Sequence, residues 1–161
     1  MDARHQGGLV IASSFAAALV LTVLPLPDAI VVLRPEWTAL VLIYWCMAVP
    51  QRIGVGIGWG VGLLMDVLRA GLMGQHALSF GIIAYVTHHL YQRLRVFPLW
   101  QQAFSILALI ALHEVLMLWI RGIAGHAGPG WNYWLPALSS ALVWPPLFIL
   151  LRGLRRRFKV A

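Results

Sequence analysis

The stretch IGVGIGWGVGLLMD, residues 53–66, places a glycine at every second position of an apolar segment that ends in a carboxylate. In water, each glycine inside a helix costs roughly 1 kcal/mol relative to alanine, so a soluble helix with this pattern is disfavoured. In a bilayer, the backbone must satisfy its own hydrogen bonds, and small residues let helices approach closely. The stretch therefore predicts a membrane-spanning helix.

The helical repeat sorts these glycines into two ridges on roughly opposite sides, with Gly54, Gly58 and Gly62 on one and Gly56 and Gly60 on the other. Two ridges of small residues predict helix packing on both sides, which places this helix at the centre of a bundle. Asp66 continues the first ridge by one turn. Its carboxylate is therefore expected in a helix interface, where an ionisable residue in a membrane protein is a candidate for function.

The composition is that of an integral membrane protein. Of the 161 residues, 61% are apolar and 11% are charged. Cys46 is the only cysteine, so the sequence predicts neither a disulfide framework nor a Cys/His metal site. The net charge of +7 resides at the ends of apolar runs and in a short tail, a pattern of membrane topology rather than of nucleic-acid binding.

Six apolar runs predict one domain that crosses the membrane six times and ends in a basic cytoplasmic tail at residues 152–161. The predicted helices cover residues 7–26, 35–51, 53–68, 72–91, 98–120 and 132–151. The first run stays apolar up to Pro25, which favours a span over a cleaved signal peptide.

The basic residues predict that both termini lie in the cytoplasm, because cytoplasmic loops are enriched in Lys and Arg. The side of the termini would hold Arg4, Arg52, Arg93, Arg95, Arg152, Arg155, Arg156, Arg157 and Lys159. The outer side would hold only Arg34, Arg69 and Arg121. The basic tail is also expected to bind anionic lipids of the inner leaflet.

In this topology, a group of polar residues lies at or towards the outer face, namely Arg34, Glu36, Asp66, His76 and Glu114. They form either one pocket that binds a partner or a ligand, or several separate interfacial contacts. In the second interpretation, Asp66 pairs with Arg69 three residues on, and His76 is a structural donor.

Two of these carboxylates have structural alternatives of their own. Glu36 lies in the first turn of its helix, where the helix dipole favours an anion. Glu114 lies deep in a span, where a charge costs on the order of 2.5–3.5 kcal/mol. It must therefore be protonated, paired with His113 or a neighbouring helix, or exposed to a wet cavity.

The sequence carries no catalytic motif. The serines have no neighbouring triad pattern, and the His113-Glu114 pair is not a zinc-protease motif because Met117 stands where the second histidine is required. A phosphate-binding loop and a dinucleotide fingerprint are also missing from the sequence. We expect a protein that is not an enzyme and has no cofactor.

The middle of the chain carries a family resemblance. The matching residues are Arg34-Pro35-Glu36-Trp37, Tyr44-Trp45, Pro50, Gly54, Trp59 to Asp66, Gly71, Gly74, His76-Ala77-Leu78, and Gln92 to Pro98 followed by Gln101-Gln102. Over residues 34–102 the chain resembles the bacterial rod shape-determining family MreD. The remainder is similar in hydropathy only.

This resemblance implies a multi-pass inner-membrane scaffold of the cell elongation machinery. The implied partners are the bitopic protein MreC, the peptidoglycan synthases of the rod system and, indirectly, the actin-like MreB. It also implies a six-helix bundle similar to the substrate-binding subunits of energy-coupling-factor vitamin transporters. A role in cell shape follows from the resemblance alone.

Two functions remain for such a bundle. One is the scaffold, for which glycine ridges and short loops are sufficient. The other is a subunit that binds a small molecule or a lipid precursor for a transporter, with the outer polar group as its ligand site. Short turns and a basic tail on the cytoplasmic side favour the scaffold, since a transporter needs a surface there for its ATPase. The residues leave homodimer formation open.

Overall fold

The computed structural model describes residues 3–31, 33–70, 73–125 and 130–160, and these residues are helical apart from turns and short connections. The predicted start of the fourth helix at residue 72 lies outside the described residues. The elements in chain order are α1 (Ala3–Val23), α2 (Asp28–Val31), α3 (Trp37–Ala48), α4 (Val55–Arg69), α5 (Gln75–Val96), α6 (Leu99–Ile123), a 3-10 turn (Trp131–Trp134) and α7 (Leu135–Arg157).

The centre of the bundle is α3, whose residues from Thr38 to Ala48 are all buried. This helix packs against α1, α5 and α7. It is apolar all round, which is the pattern of a helix that is surrounded by other helices. The prediction that the glycine-rich helix occupies the centre is therefore wrong: α4 lies at the edge and packs mainly against α5.

One glycine ridge of α4 makes close contact with α5. A Cβ atom on Gly58 would lie 2.8 Å from the carbonyl oxygen of Phe80 and 2.9 Å from the Cβ of Ala84. At Gly62 the backbones are closer still, and an added Cβ would overlap the backbone of His76 and Ala77. These two glycines therefore let the two helices meet backbone to backbone.

The other predicted packing positions make no such contact. Beyond its chain neighbours and the nearby backbone of its own helix, no described atom lies within 4 Å of a Cβ built on Gly54, Gly56 or Gly60. Gly54 precedes the first helical residue of α4, and its extended backbone places it outside the interface. The second ridge faces away from the bundle, beside a Trp59 side chain that is 55% exposed, so the predicted packing on two sides within the chain is wrong.

Within the described residues, two helices are long and apolar enough to cross a membrane, Leu99–Ile123 and Leu135–Arg157. Two shorter apolar helices, Gly7–Val23 and Trp37–Ala48, accompany them. The 12 residues of α3 span only about 18 Å at 1.5 Å per residue, less than the hydrocarbon core of a bilayer. Since α3 is enclosed by other helices, its backbone does not need to reach both interfaces.

The first turns of α1 and the segment after α7 meet at one end of the bundle. A Cβ on Gly7 would lie 2.9 Å from a guanidinium nitrogen of Arg52 and 3.5 Å from the side chain of Val160. Near them, Arg95 of α5 donates hydrogen bonds to the carbonyls of Met47 (2.6 Å) and Ala48 (2.8 Å). We call this the basic end. The predicted tail is helical through Arg157, since α7 continues to that residue.

Candidate functional site

The opposite end of the bundle holds the buried carboxylates, and Asp66 is fully buried among them. Its Oδ1 accepts the backbone N–H of His76 at 2.9 Å and lies 2.8 Å from Nδ1 of the same residue. Its Oδ2 accepts the N–H groups of Gly74 at 2.9 Å and Ala77 at 3.4 Å. The first amides of a helix have no partner within the helix, so this carboxylate on α4 caps the start of α5.

The predicted pair of Asp66 with Arg69 is wrong. Among the described residues, the hydrogen-bond and ion-pair partners of Asp66 all belong to Gly74, His76 and Ala77. The amides of α5 are the stronger attraction because they are fixed in place and shielded from water. Arg69 is exposed and faces a different feature, the outer cavity described below.

Glu36, His113 and Glu114 form a second group, which we call the carboxylate–histidine cluster. Nε2 of His113 lies 3.9 Å from Oε2 of Glu36. One ligand-type atom from each of the three residues lies within 4.8 Å of the other two. His113 and Glu114 are 2% and 5% exposed, while the Glu36 side chain is 13% exposed. Among the described residues, Oε1 of Glu114 has no hydrogen-bond partner.

A hydroxyl from another element holds each member of the cluster. Ser79 of α5 lies 2.5 Å from Nδ1 of His113. Ser140 of α7 accepts the backbone N–H of Glu36 at 3.0 Å. The Tyr133 hydroxyl donates to the backbone carbonyl of Glu114 at 2.7 Å. The cluster is therefore fixed from three directions, by α5, by α7 and by the 3-10 turn.

Arg34 has a capping role that the sequence does not predict. Its guanidinium donates to the carbonyls of Thr22 and Leu24, at the end of α1. The last carbonyls of a helix lack partners within the helix, so Arg34 caps α1. Arg34, Glu36 and Arg69 also line an open cavity of about 420 Å³ at this end, which we call the outer cavity.

The five predicted site residues thus lie at one end of the bundle, but in separate roles. Glu36 and Glu114 share the carboxylate–histidine cluster. His76 joins Asp66 to that cluster, because its ring centroid lies 6.0 Å from the ring of His113. Asp66 and Arg34 cap helices. Asp66 has no exposed surface, and its role in binding stays a prediction.

Two features of the carboxylate–histidine cluster were not predicted from the sequence. His113 was considered only as a local partner of Glu114, yet its ring faces Glu36 of another helix. Ser79 and Ser140 were considered only as catalytic nucleophiles, and the supporting hydroxyl of Tyr133 was not considered. Ser79 follows His76 by three residues and so lies on the same helix face, the one sequence signal that pointed to it.

Comparison with known proteins identifies the family. The family model described as rod shape-determining protein MreD matches residues 3–154. The rod shape-determining protein MreD of Haemophilus influenzae is 32% identical over 150 residues, which cover 93% of this chain and 93% of that relative. No solved structure matches the chain. By the family match and by this identity, the chain belongs to the MreD family of rod shape-determining proteins.

Proposed function

We propose that this protein is a scaffold of the bacterial elongation machinery that crosses the inner membrane six times and has both termini in the cytoplasm. It binds MreC and so helps to position the peptidoglycan synthases of the rod system, with MreB engaged indirectly. Membership of a family that determines rod shape supports the cellular role. The exposed face of one helix and the contacts within the bundle support the structural part of the proposal.

The main support for this proposal is the outward face of α4. Gly56 and Gly60 lie one turn apart with open space where a side chain would be. The Trp59 ring between them is 55% exposed. Paired glycines at this spacing let a second membrane helix approach the backbone closely, and an adjacent aromatic ring adds contact area. We assign this face to the single membrane helix of MreC.

The internal contacts of the charged residues fit a scaffold. Asp66 caps α5, Arg34 caps α1, and Arg95 caps the end of α3. Each of these side chains joins two segments of the bundle, so the helices are held in a fixed arrangement. A rigid bundle presents a constant surface to its partners, which is what positioning requires.

Co-isolation with MreC tests the proposal. A double variant, Gly56→Leu with Gly60→Leu, fills the open ridge without touching α5. It should remain in the membrane at a normal level and lose MreC, because two leucines separate the helices. The matched control is Gly122→Leu in α6, where an added side chain also meets open space. Retention of MreC by the double variant, at the level of the control, would remove the assignment of this face.

The outer cavity favours a second candidate function, that of a small-molecule or lipid-precursor binding subunit. The cavity of about 420 Å³ is lined by two arginines, Arg34 and Arg69, and by the carboxylate of Glu36. Mass spectrometry of the protein purified in mild detergent discriminates the two functions. A single stoichiometric metabolite that is lost in Arg69→Ala supports the binding subunit, whereas co-isolated MreC without such a metabolite supports the scaffold.

We also propose that the basic end binds the phosphate of an anionic lipid headgroup. A cavity of about 290 Å³ is lined there by Tyr44, Arg95, Arg152 and Arg155. Each basic residue near an anionic leaflet contributes about 1 kcal/mol of attraction. Native mass spectrometry in nanodiscs should show retained phosphatidylglycerol over phosphatidylcholine, and Arg152→Gln with Arg155→Gln should abolish that preference. An unchanged preference in this variant would contradict the assignment.

A further inference from the structure

We propose that Glu36, His113 and Glu114 bind a divalent first-row transition-metal ion, with Zn²⁺ as the reference ion. The three residues offer two carboxylates and one imidazole, with their ligand-type atoms within 4.8 Å of one another. The site is independent of the scaffold role and of the contact with MreC.

The geometry is close to that of a metal site. Zinc bonds of about 2.0–2.2 Å place tetrahedral ligands roughly 3.3–3.6 Å apart. Nε2 of His113 and Oε2 of Glu36 are 3.9 Å apart, which is too far for a hydrogen bond and slightly wider than that spacing. The three ligand-type atoms lie within 4.8 Å of one another, so rotation of both the Glu36 and the Glu114 side chain brings all three to that spacing.

The unpaired oxygen of Glu114 points to a ligand independently of this spacing. Its residue is 5% exposed, and among the described residues Oε1 has no hydrogen-bond partner. A buried carboxylate oxygen without a donor is costly, and a second carboxylate nearby increases that cost. A cation between the two carboxylates removes both penalties.

The surroundings of His113 orient its free nitrogen towards the site. Histidines that bind metals usually donate their other ring N–H to a fixed acceptor, and this contact sets the tautomer. Ser79 provides the acceptor, since its Oγ lies 2.5 Å from Nδ1 of His113. With the proton on Nδ1, the lone pair on Nε2 faces Glu36.

The donor set and the location define the class of ion. One imidazole with two carboxylates suits zinc, manganese or iron, whereas magnesium and calcium take oxygen ligands alone. An ion has a route to the cluster, because Glu36 lines the outer cavity and is 13% exposed. Three protein ligands leave a fourth position open in a tetrahedral site.

Zinc binding by the purified protein tests the proposal. The full chain, carried on an affinity tag without histidine, is stripped with chelator and equilibrated with Zn²⁺ in detergent. We expect one retained Zn²⁺ per chain and a raised Tm. His113→Gln and Glu114→Gln should each lower the affinity at least tenfold and abolish the rise in Tm. The matched controls are His88→Gln and Asp28→Asn, both of which change exposed residues outside the cluster.

Two further measurements keep the test decisive if a ligand variant does not fold. Ser79→Ala keeps all three ligands and should weaken zinc binding about 10- to 100-fold, the usual effect of losing the partner of a metal-bound histidine. X-ray absorption of zinc-loaded wild-type protein should show one imidazole and oxygen ligands. Zinc retention that is equal in wild type and His113→Gln, or an absorption spectrum without imidazole, would overturn the proposal and leave a shared proton between the carboxylates.

Discussion

The carboxylate of Asp66 and the imidazole of His76 meet at 2.8 Å, and both side chains are buried. The same carboxylate accepts the backbone N–H of His76, so it holds this residue at two points. The contact depends on Gly62, one turn earlier in α4, where the backbones of α4 and α5 are in direct contact. Because Gly62 has no side chain, the start of α5 comes close enough to Asp66 to be capped by it.

We expect Asp66→Asn to lower the amount of folded protein. Both carboxylate oxygens accept N–H groups of α5, whereas an amide offers one acceptor and brings an NH₂ group in place of the other. Each buried donor that loses its acceptor costs about 1–3 kcal/mol. Membrane levels of the variant and the thermal unfolding of the purified protein measure this loss.

The control for this variant is Arg69→Ala. Because Arg69 is exposed and does not pair with Asp66, its removal should leave abundance near the wild-type level. The double variant should show the sum of the two single effects, since the residues do not interact. Normal abundance of Asp66→Asn together with lost rod shape would reverse our conclusion and make Asp66 part of a functional surface.

The two glycine ridges of α4 should respond oppositely to the same substitution. Gly58→Leu forces a side chain against the Phe80 carbonyl and the Ala84 Cβ, so folded protein should be lost. Gly60→Leu places the same side chain in open space and should leave folding intact. Membrane levels and gel-filtration profiles of the two variants measure the difference. Equal levels of both would remove the argument for close packing at Gly58.

Hydropathy and glycine spacing could predict much of this fold, but not which helix lies at its centre. Within the described residues, each α-helix of 12 or more residues overlaps one of the apolar runs, and the ridge of Gly58 and Gly62 faces another helix. In a membrane protein, however, apolar side chains face both lipid and protein. The periodicity that marks the core of a soluble protein is therefore weak, and it does not distinguish the fully buried α3 from α4.

In the candidate site, too, contacts between residues that are close in the sequence can be predicted, whereas contacts between different helices cannot. Counting charges placed Glu36, Asp66, His76 and Glu114 towards one end, and they do lie at one end of the bundle. Their partners were harder to predict, because charge pairs at i, i+3 are visible in a sequence whereas contacts across helices are not. The i, i+3 spacing therefore predicts a pair of Asp66 with Arg69, although amides at the start of α5 are its partners.

Reporter fusions test the membrane orientation. A fusion at Ala161 should report the cytoplasm, and one inserted at Gly125 in the loop after α6 should report the outer side. The physical reason is the excess of basic residues near the termini, which resist transfer across the membrane. The same side for both insertions would exclude six crossings with both termini in the cytoplasm.

At the basic end, Arg95→Lys should lower thermal stability although the positive charge is kept. The guanidinium of Arg95 bridges the carbonyls of Met47 and Ala48, and it also lies 5.2 Å from the centre of the Tyr91 ring. A lysine ammonium is a compact point charge that does not reproduce this fork or stack as well on the ring. The loss of one charged hydrogen bond corresponds to about 1.5–3 kcal/mol.

The matched control is Arg93→Lys, two residues away on the same exposed turn of α5. Arg93 does not contact these carbonyls, so its substitution should leave Tm unchanged. Unfolding of the purified proteins in the same detergent gives the comparison. If both lysine variants unfold at the wild-type temperature, then the charge of Arg95 rather than its two hydrogen bonds holds α5 to α3. In that case Arg95→Gln, which removes the charge, becomes the variant that should destabilise the bundle.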